Sequence, residues 1–248
     1  MIKSKQAVID VQADTLSVAK RAANWLVEHL QKSSVNKFAI CLSGGQTPEL
    51  LYKTLAQPEF SKQIPWSKVH LFWGDERFVP KNNDLSNYKM VKTTLLDYIS
   101  IPEANIHPVN TELADVYQAA SAYEKELQNY YGSKTLTANH FLFDVTLLGV
   151  GGDGHTASLF PGSDVLREQN AWVKAVVGVK KEDRITLTIP ILESSEAVAF
   201  LATGAEKKAI IKQVLSGDGD LPAARIKPEG NLYWFLDQTA YLSASNSK

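Results

Sequence analysis

The chain has 248 residues, a formal net charge of −1 and 44% hydrophobic residues, enough to bury an ordinary core. The balanced charge excludes a general attraction to nucleic acid or to an anionic membrane, so any anion site must be local. A single cysteine, Cys41, excludes an internal disulfide, and no apolar run approaches the roughly 18 residues of a membrane span.

Asp14 to Lys32 is predicted as an amphipathic helix, with Val18, Ala22, Trp25, Leu26 and Leu30 on one side. Lys37 to Leu42 is a short apolar strand in which Cys41 reads as a buried thiol. A helix over Pro48–Leu55, a strand over Lys68–Trp73 and a helix over Tyr88–Tyr98 follow. Val116 to Tyr131 is a longer helix and Phe141 to Leu148 a strand. Ala171–Val179 and Arg184–Ile189 are β-rich, the second alternating and ending at Pro190. Ala197–Thr203 is a strand, Glu206–Leu215 a helix ended by the Gly217-Asp-Gly219 turn, and Leu232–Leu236 a last strand. This alternation predicts one α/β domain over residues 1–248, three-layered, with a mainly parallel sheet and helices on both faces. The N-terminus, MIKSKQAVID, lacks the apolar stretch of a signal peptide, and with the lone cysteine this gives the cytoplasm as the expected compartment.

Ligand sites in open α/β sheets form beyond the carboxyl ends of strands. Three such ends are chemically unusual. In Leu42-Ser-Gly-Gly-Gln-Thr-Pro48 a strand runs through two glycines into a helix, with Thr47 suited to the N-cap and Pro48 to the first helical position. Free N–H groups and the helix dipole there can hold a phosphate; a tight turn with a cap is the plainer reading. The Gly-Lys-Ser/Thr ending of a Walker loop is missing. In Phe72-Trp-Gly-Asp-Glu-Arg-Phe-Val-Pro80 three charges follow a strand and are walled by aromatic residues. Arg77 can bind an anion or a developing oxyanion there, and an exposed charged turn is the alternative.

The third end, GVGGDGHTASLFPG at residues 149–162, satisfies G-x-G-x-x-G by its letters. A dinucleotide site also needs a helix of several turns after the last glycine and an acid about 20 residues on. Pro161-Gly162 interrupts that helix, and Ala171 to Val176 contains no acid. What remains is Asp153-Gly-His155 on a glycine-rich turn, a histidine able to take a proton with a carboxylate beside it. Two potential metal ligands two residues apart, with no third in view, make a weak metal site, and none is expected. His29, near a helix end, His70, within a strand, and His140, before one, read as structural; His107 is left open.

Together these motifs resemble the 6-phosphogluconolactonases of the pentose phosphate pathway, within the superfamily that includes glucosamine-6-phosphate deaminase and has a modified Rossmann-like fold. Ser86-Asn-Tyr88, Arg184-Ile-Thr-Leu-Thr188, Gly204-Ala-Glu-Lys-Lys-Ala209 and Trp234-Phe-Leu-Asp237 add to the resemblance, which runs in order from about residue 38 to 240. The resemblance implies hydrolysis of a small phosphorylated sugar lactone, 6-phospho-D-glucono-1,5-lactone, without cofactor or catalytic metal, by a monomer or small homo-oligomer. It implies His155 as general base and Asp153 as its orienting carboxylate. Ser43, Gly44, Gly45, Gln46 and Thr47 would hold the phosphate end, with Arg184 and Lys208 as phosphate partners. Lys208 is preferred to Lys207 on the Lys-Ala pair. Asp75 and Arg77 would line the site near the sugar or the carbonyl.

No G-x-S-x-G nucleophile elbow is present, and a lactone needs none. Two rivals stand beside this reading. The deaminases carry a carboxylate five residues after the histidine, where this chain has Phe160, and usually an aromatic residue in place of Arg77. A non-catalytic sugar-phosphate binder on the same fold is the other, against which the joint presence of Asp153, His155 and Arg77 speaks.

Overall fold

Apolar segments too short to be helices and flanked by turn residues become the strands of a seven-stranded sheet in the computed structural model, which describes residues 7–138 and 140–241. The strands are β1 (Val8–Gln12), β2 (Phe38–Leu42), β3 (Val69–Trp73), β4 (Asp75–Arg77), β5 (Ile106–His107), β6 (Phe143–Gly149), β7 (Val173–Val176), β8 (Arg184–Leu187), β9 (Ser195–Ala202) and β10 (Asn231–Asp237). The helices are α1 (Thr15–Lys32), α2 (Gln46–Leu55), α3 (Pro58–Ser61), α4 (Asn87–Thr94), α5 (Val116–Tyr131), α6 (Ile189–Glu193), α7 (Lys208–Leu215), α8 (Pro222–Arg225) and α9 (Gln238–Tyr241).

The main sheet has the order β1-β10-β9-β6-β2-β3-β5 and every pair in it is parallel. Parallel strands need covering on both faces, which is why β2 and β3 are buried at every residue and read as unbroken apolar runs. The helices that cover them start where the sequence places caps. The Asp14 carboxylate accepts the N–H of Ser17 at 2.8 Å to open α1, and Asp115 accepts those of Tyr117 and Gln118 to open α5. Gly132, at φ +84°, ends α5 in the left-handed conformation a glycine adopts without a Cβ clash. Among the described residues no helix is long and apolar enough to cross a membrane.

Four features depart from the sequence reading. β1 is an edge strand with Val8 and Ile9 exposed, so it lacks the apolar run that marks its buried neighbours. β4, β8 and β7 form a second, antiparallel sheet, because the charged trio after Trp73 pairs with Arg184–Thr186 instead of turning into solvent. The helix expected over Tyr88–Tyr98 stops at Thr94, where Leu95 leaves helical geometry at φ −133° and a 3₁₀ turn over Leu96–Tyr98 follows. Thr47 is not the cap of α2: the helix starts two residues earlier, behind Gly45, and the Thr47 hydroxyl pairs with that of Thr203 at 3.0 Å.

A polar layer lies at the β3–β5 side of the main sheet. His70 Nδ1 meets His107 Nε2 at 3.0 Å, and His107 Nδ1 meets Glu126 at 2.8 Å, which settles the role of His107 as structural. Burial, then the neighbouring His107 and Lys37, lower His70 to about 4, so the fold holds it neutral. On β6, burial above all raises Asp144 to about 6, against the Ala39 N–H that its carboxylate accepts at 2.7 Å.

These two groups act in opposite directions on stability. Between about pH 4 and the ordinary histidine value near 6.5, the unfolded chain binds a proton at His70 that the folded chain refuses, so this group makes stability rise with pH. Between the ordinary 3.8 and about 6 the folded chain keeps a proton on Asp144 that the unfolded chain releases, so this group makes stability fall. Denaturant unfolding followed from pH 4 to 6.5 should show a shallower rise, or a fall, in His70→Asn, and a steeper rise in Asp144→Asn.

Candidate active site

In the main sheet β2 lies between its sequence neighbour β3 and the much later β6, so the direction of strand succession reverses between β2 and β6. Loops leaving the two strand ends diverge at such a point and open a crevice. A cleft of about 540 Å³ lies there, lined by residues of the 43–48, 149–157 and 201–207 segments together with Asp75, Arg77 and Asn87.

The first wall is the loop into α2. Gly45 has φ +105° and its carbonyl accepts from Glu49 N at 3.0 Å, so the helix begins at the cleft and the N–H groups of Gln46 and Thr47 have no intrahelical acceptor. Such an end attracts anions. Ser43 points the other way, and its hydroxyl accepts from Gly149 N at 3.2 Å, fastening this loop to the one after β6. Gly44 packs on Asn87, where a Cβ would come within 2.3 Å of Oδ1.

The Asp75-Glu76-Arg77 trio alternates as a strand must. Glu76 turns inward and is 1% exposed. It accepts the backbone N–H groups of Arg77, Asn87 and Tyr88 at 2.7 to 2.8 Å and the Ser86 hydroxyl at 3.2 Å, so it ties the start of α4 to β4. Burial raises the Glu76 carboxyl above its ordinary value, more than the three N–H groups lower it. Asp75 and Arg77 line the cleft. Asp75 is occupied by protein: Ser158 Oγ donates to Oδ2 at 2.7 Å, and Asn87 Nδ2 donates to its carbonyl at 2.9 Å and to Oδ1 at 3.3 Å. Arg77 Nη1 donates to Leu85 O at 2.5 Å, while its buried Nε has no acceptor among the described residues.

The third wall carries the histidine. Gly151 N donates to His155 O at 2.8 Å and Gly154 N to Gly151 O at 3.0 Å, closing a tight turn at Gly154, whose φ is +80°. There is no helix after it, as the failed dinucleotide pattern requires; Thr156 and Leu159 form a bridge instead. His155 Nδ1 is hydrogen-bonded to Asp153 Oδ1, which also accepts His155 N at 3.1 Å. Because the Asp153 carboxylate accepts, the hydrogen of this bond lies on Nδ1, which leaves Nε2 out of the pair. Burial pulls the Asp153 carboxyl up, but the His155 side chain and N–H and the Lys180 ammonium outweigh it, and the group is held below its ordinary value as an anion. The imidazole also lies 4.9 Å from the Phe160 ring. Ala157, next along the wall, has φ +47°, a strained conformation for a residue with a Cβ.

The fourth wall follows β9. Gly204, at φ +101°, donates its N–H to the Asp237 carboxylate at 3.1 and 3.2 Å and leads into a 3₁₀ turn over Ala205–Lys207. That turn delivers Lys207, whose Nζ donates to Val150 O at 2.8 Å. Of the residues expected from the sequence, Ser43, Gly44, Gly45, Gln46, Thr47, Asp75, Arg77 and His155 line the cleft, with Asp153 directly behind His155. Two do not. Lys208 opens α7, and the preceding lysine takes its expected place, because helical geometry begins one residue after the turn. Arg184 is paired across the small sheet with Arg77, on the same face of that sheet, and its guanidinium sits 3.9 Å from Glu182, outside the cleft lining. Burial, then the charge of Arg77, lowers its guanidinium from its ordinary value. Asn87 and Thr203 were not singled out by sequence; the Ser86-Asn-Tyr88 segment is the signal that points to the first.

Residues 13–234 match the family described as glucosamine-6-phosphate isomerases/6-phosphogluconolactonase. The chain is 39% identical over 239 residues to a 6-phosphogluconolactonase of a Synechocystis species, covering 94% of this chain and 96% of the relative. It is 36% identical to a probable 6-phosphogluconolactonase of Schizosaccharomyces pombe, with 94% of each chain covered. Among solved structures, the 6-phosphogluconolactonase of Trypanosoma brucei superposes with a TM-score of 0.81 at 30% identity, over 95% of this chain and 97% of the other. A monomeric glucosamine-6-phosphate deaminase shares the fold, with a TM-score of 0.79 at 17% identity over 94% of this chain and 98% of that one.

Gly151 gives a direct check on the geometry, because a Cβ there would lie 2.0 Å from the His155 ring atoms Cε1 and Nδ1. Gly151→Ala should displace the imidazole and lower kcat/KM on the physiological substrate by about 10²-fold, the order expected for a misplacement near 1 Å. Steady-state kinetics beside a melting curve would separate this from unfolding.

Proposed function

The chain belongs to the glucosamine-6-phosphate isomerase/6-phosphogluconolactonase family, and on that premise we propose that it hydrolyses 6-phospho-D-glucono-1,5-lactone to 6-phosphogluconate with water activated by His155. The observation that carries the reading is the His155–Asp153 pair on one wall of a cleft whose other walls present a helix N-terminus and Lys207. Phe160 supports it against the deaminase alternative, since a buried aromatic ring stands against His155 at the position of the deaminase carboxylate.

His155 Nε2 takes a proton from water as the water oxygen bonds to the lactone carbonyl carbon. The carbonyl electron pair moves to oxygen, and the guanidinium of Arg77, a residue of the cleft lining, stabilises that charge. Collapse re-forms the carbonyl and breaks the bond to the ring oxygen, which receives the proton from the imidazolium. The product acid then ionises. Asp153 remains an anion throughout, holding the ring orientation and balancing its transient charge. At the far end of the substrate, the Gln46 and Thr47 N–H groups and Lys207 hold the phosphate, and this remote binding energy fixes the carbonyl at the base. Arg184 stands beside Arg77 across the small sheet and adds positive charge there, and Asp75 fastens the His155 loop to β4 through Ser158. The reading also assigns the enzyme to the cytoplasm, with which the free, buried Cys41 thiol is in keeping.

Purified protein given freshly made phosphogluconolactone should release acid rapidly, with no effect of a chelator, and should release no ammonia from glucosamine 6-phosphate. Ammonia release, or lactone hydrolysis no faster than in buffer, refutes the assignment. His155→Ala should lower kcat by at least ~10²-fold, the contribution of a positioned general base. Lys207→Met should act on KM, raising it by roughly 10-fold or more with a smaller change in kcat, as loss of a charge-assisted phosphate contact requires; an unchanged KM moves the phosphate site elsewhere.

A further inference from the structure

The hairpin between β7 and β8 reaches across to the His155 loop. Its exposed tip turns through Gly178, at φ +74°, and carries Lys180. Lys180 Nζ lies 3.8 Å from Asp153 Oδ2 and 4.9 Å from the centre of the Phe160 ring. Asp153 therefore holds His155 with one carboxylate oxygen and faces a lysine with the other. Among the described residues, Lys180 and His155 are the two basic side chains within ion-pair distance of this carboxylate.

The remaining charged groups of the cleft are engaged elsewhere. Arg77 donates to Leu85 O, Asp75 accepts from Ser158 and Asn87, and Lys207 donates to Val150 O. Glu206 lies on the turn after β9, on the opposite wall. We propose that Lys180 is a positioning residue for the hydrolysis, sharing the Asp153 carboxylate with His155 so that one oxygen orients the ring while the ammonium offsets the charge of the other. The proposal rests on the reading of His155 as the base.

The physical reason is a conflict within the pair. A carboxylate is needed to orient the ring, but an unshared carboxylate beside an imidazole favours the imidazolium, which cannot accept a proton from water. A second cation on the same carboxylate weakens that pull and leaves the orienting hydrogen bond in place. Phe160 contributes to both, since its ring lies against the imidazole and under the ammonium, the geometry of a cation–π contact.

The test is kcat/KM as a function of pH for Lys180→Gln and Lys180→Arg. In Lys180→Gln the acid limb should move to higher pH by about 0.5 unit, the size expected for one charge several ångströms away in a solvated setting. That is a loss of about threefold on the acid side and none on the plateau. Lys180→Arg should restore the limb, and added salt should narrow the difference between wild type and Lys180→Gln. A purely structural role for the hairpin tip would lower the whole profile without moving its limb. A limb that does not move, or that moves as far in Lys180→Arg, overturns the proposal. NMR titration of the His155 ring, read without turnover, separates the two layers. A ring that shifts while the kinetic limb stays overturns the base reading and Lys180's part in hydrolysis with it; a ring that does not shift overturns the proposal alone.

Discussion

The parallel pairing of β2 with β6 is the constraint on which the site depends. Ile40 lies opposite Val145 and Cys41 opposite Thr146, so β2 ends level with Leu147 and β6 runs on two residues to Gly149, beside the loop that leaves β2. One loop brings a helix N-terminus and the other brings His155. A single bond, from Gly149 N to Ser43 Oγ, closes the gap between them. Both faces of these strands are buried, so a slip by one residue would carry apolar side chains off their packing partners, and the register is held by the core and not by the site.

Around that crevice three carboxylates do different work because their surroundings differ. Glu76 is buried against backbone N–H groups and anchors α4. Asp75, one residue earlier and on the opposite strand face, is saturated by Ser158 and Asn87 and joins two loops. Asp153 is half open, anionic and free to act on a ring. A chain with formal net charge −1 can still select an anionic substrate, because the positive potential is built locally from a helix end and lysine and arginine side chains instead of from excess charge.

The strands buried on both faces were legible because burial leaves unbroken apolar runs. β1 was not, since an exposed edge needs no such run. In the small antiparallel sheet β7 and β8 were legible and β4 was hidden for another reason: Asp75, Glu76 and Arg77 have the composition of a turn, and they extend only because β8 is there to pair with them. Thr47 has the right chemistry for a cap, yet Gly45 can take the positive φ that starts the helix earlier, and the hydroxyl is released to Thr203. Lys207 and Lys208 are chemically equivalent, and the 3₁₀ turn after Gly204 decides between them.

By itself the sequence determined the alternation of helix and strand, the three strand ends with unusual chemistry, and the incompatibility of residues 149–162 with a dinucleotide turn. These are local properties, set by periodicity, by glycine and proline, and by the few side chains able to move a proton near neutral pH. Only the tertiary structure decided which of those ends share a cleft, that Arg184 stands beside Arg77 across the small sheet, and that Lys180 meets the carboxylate of Asp153. Such contacts join residues tens of positions apart, and their distances follow from the order of strands in the sheet, which no local pattern encodes.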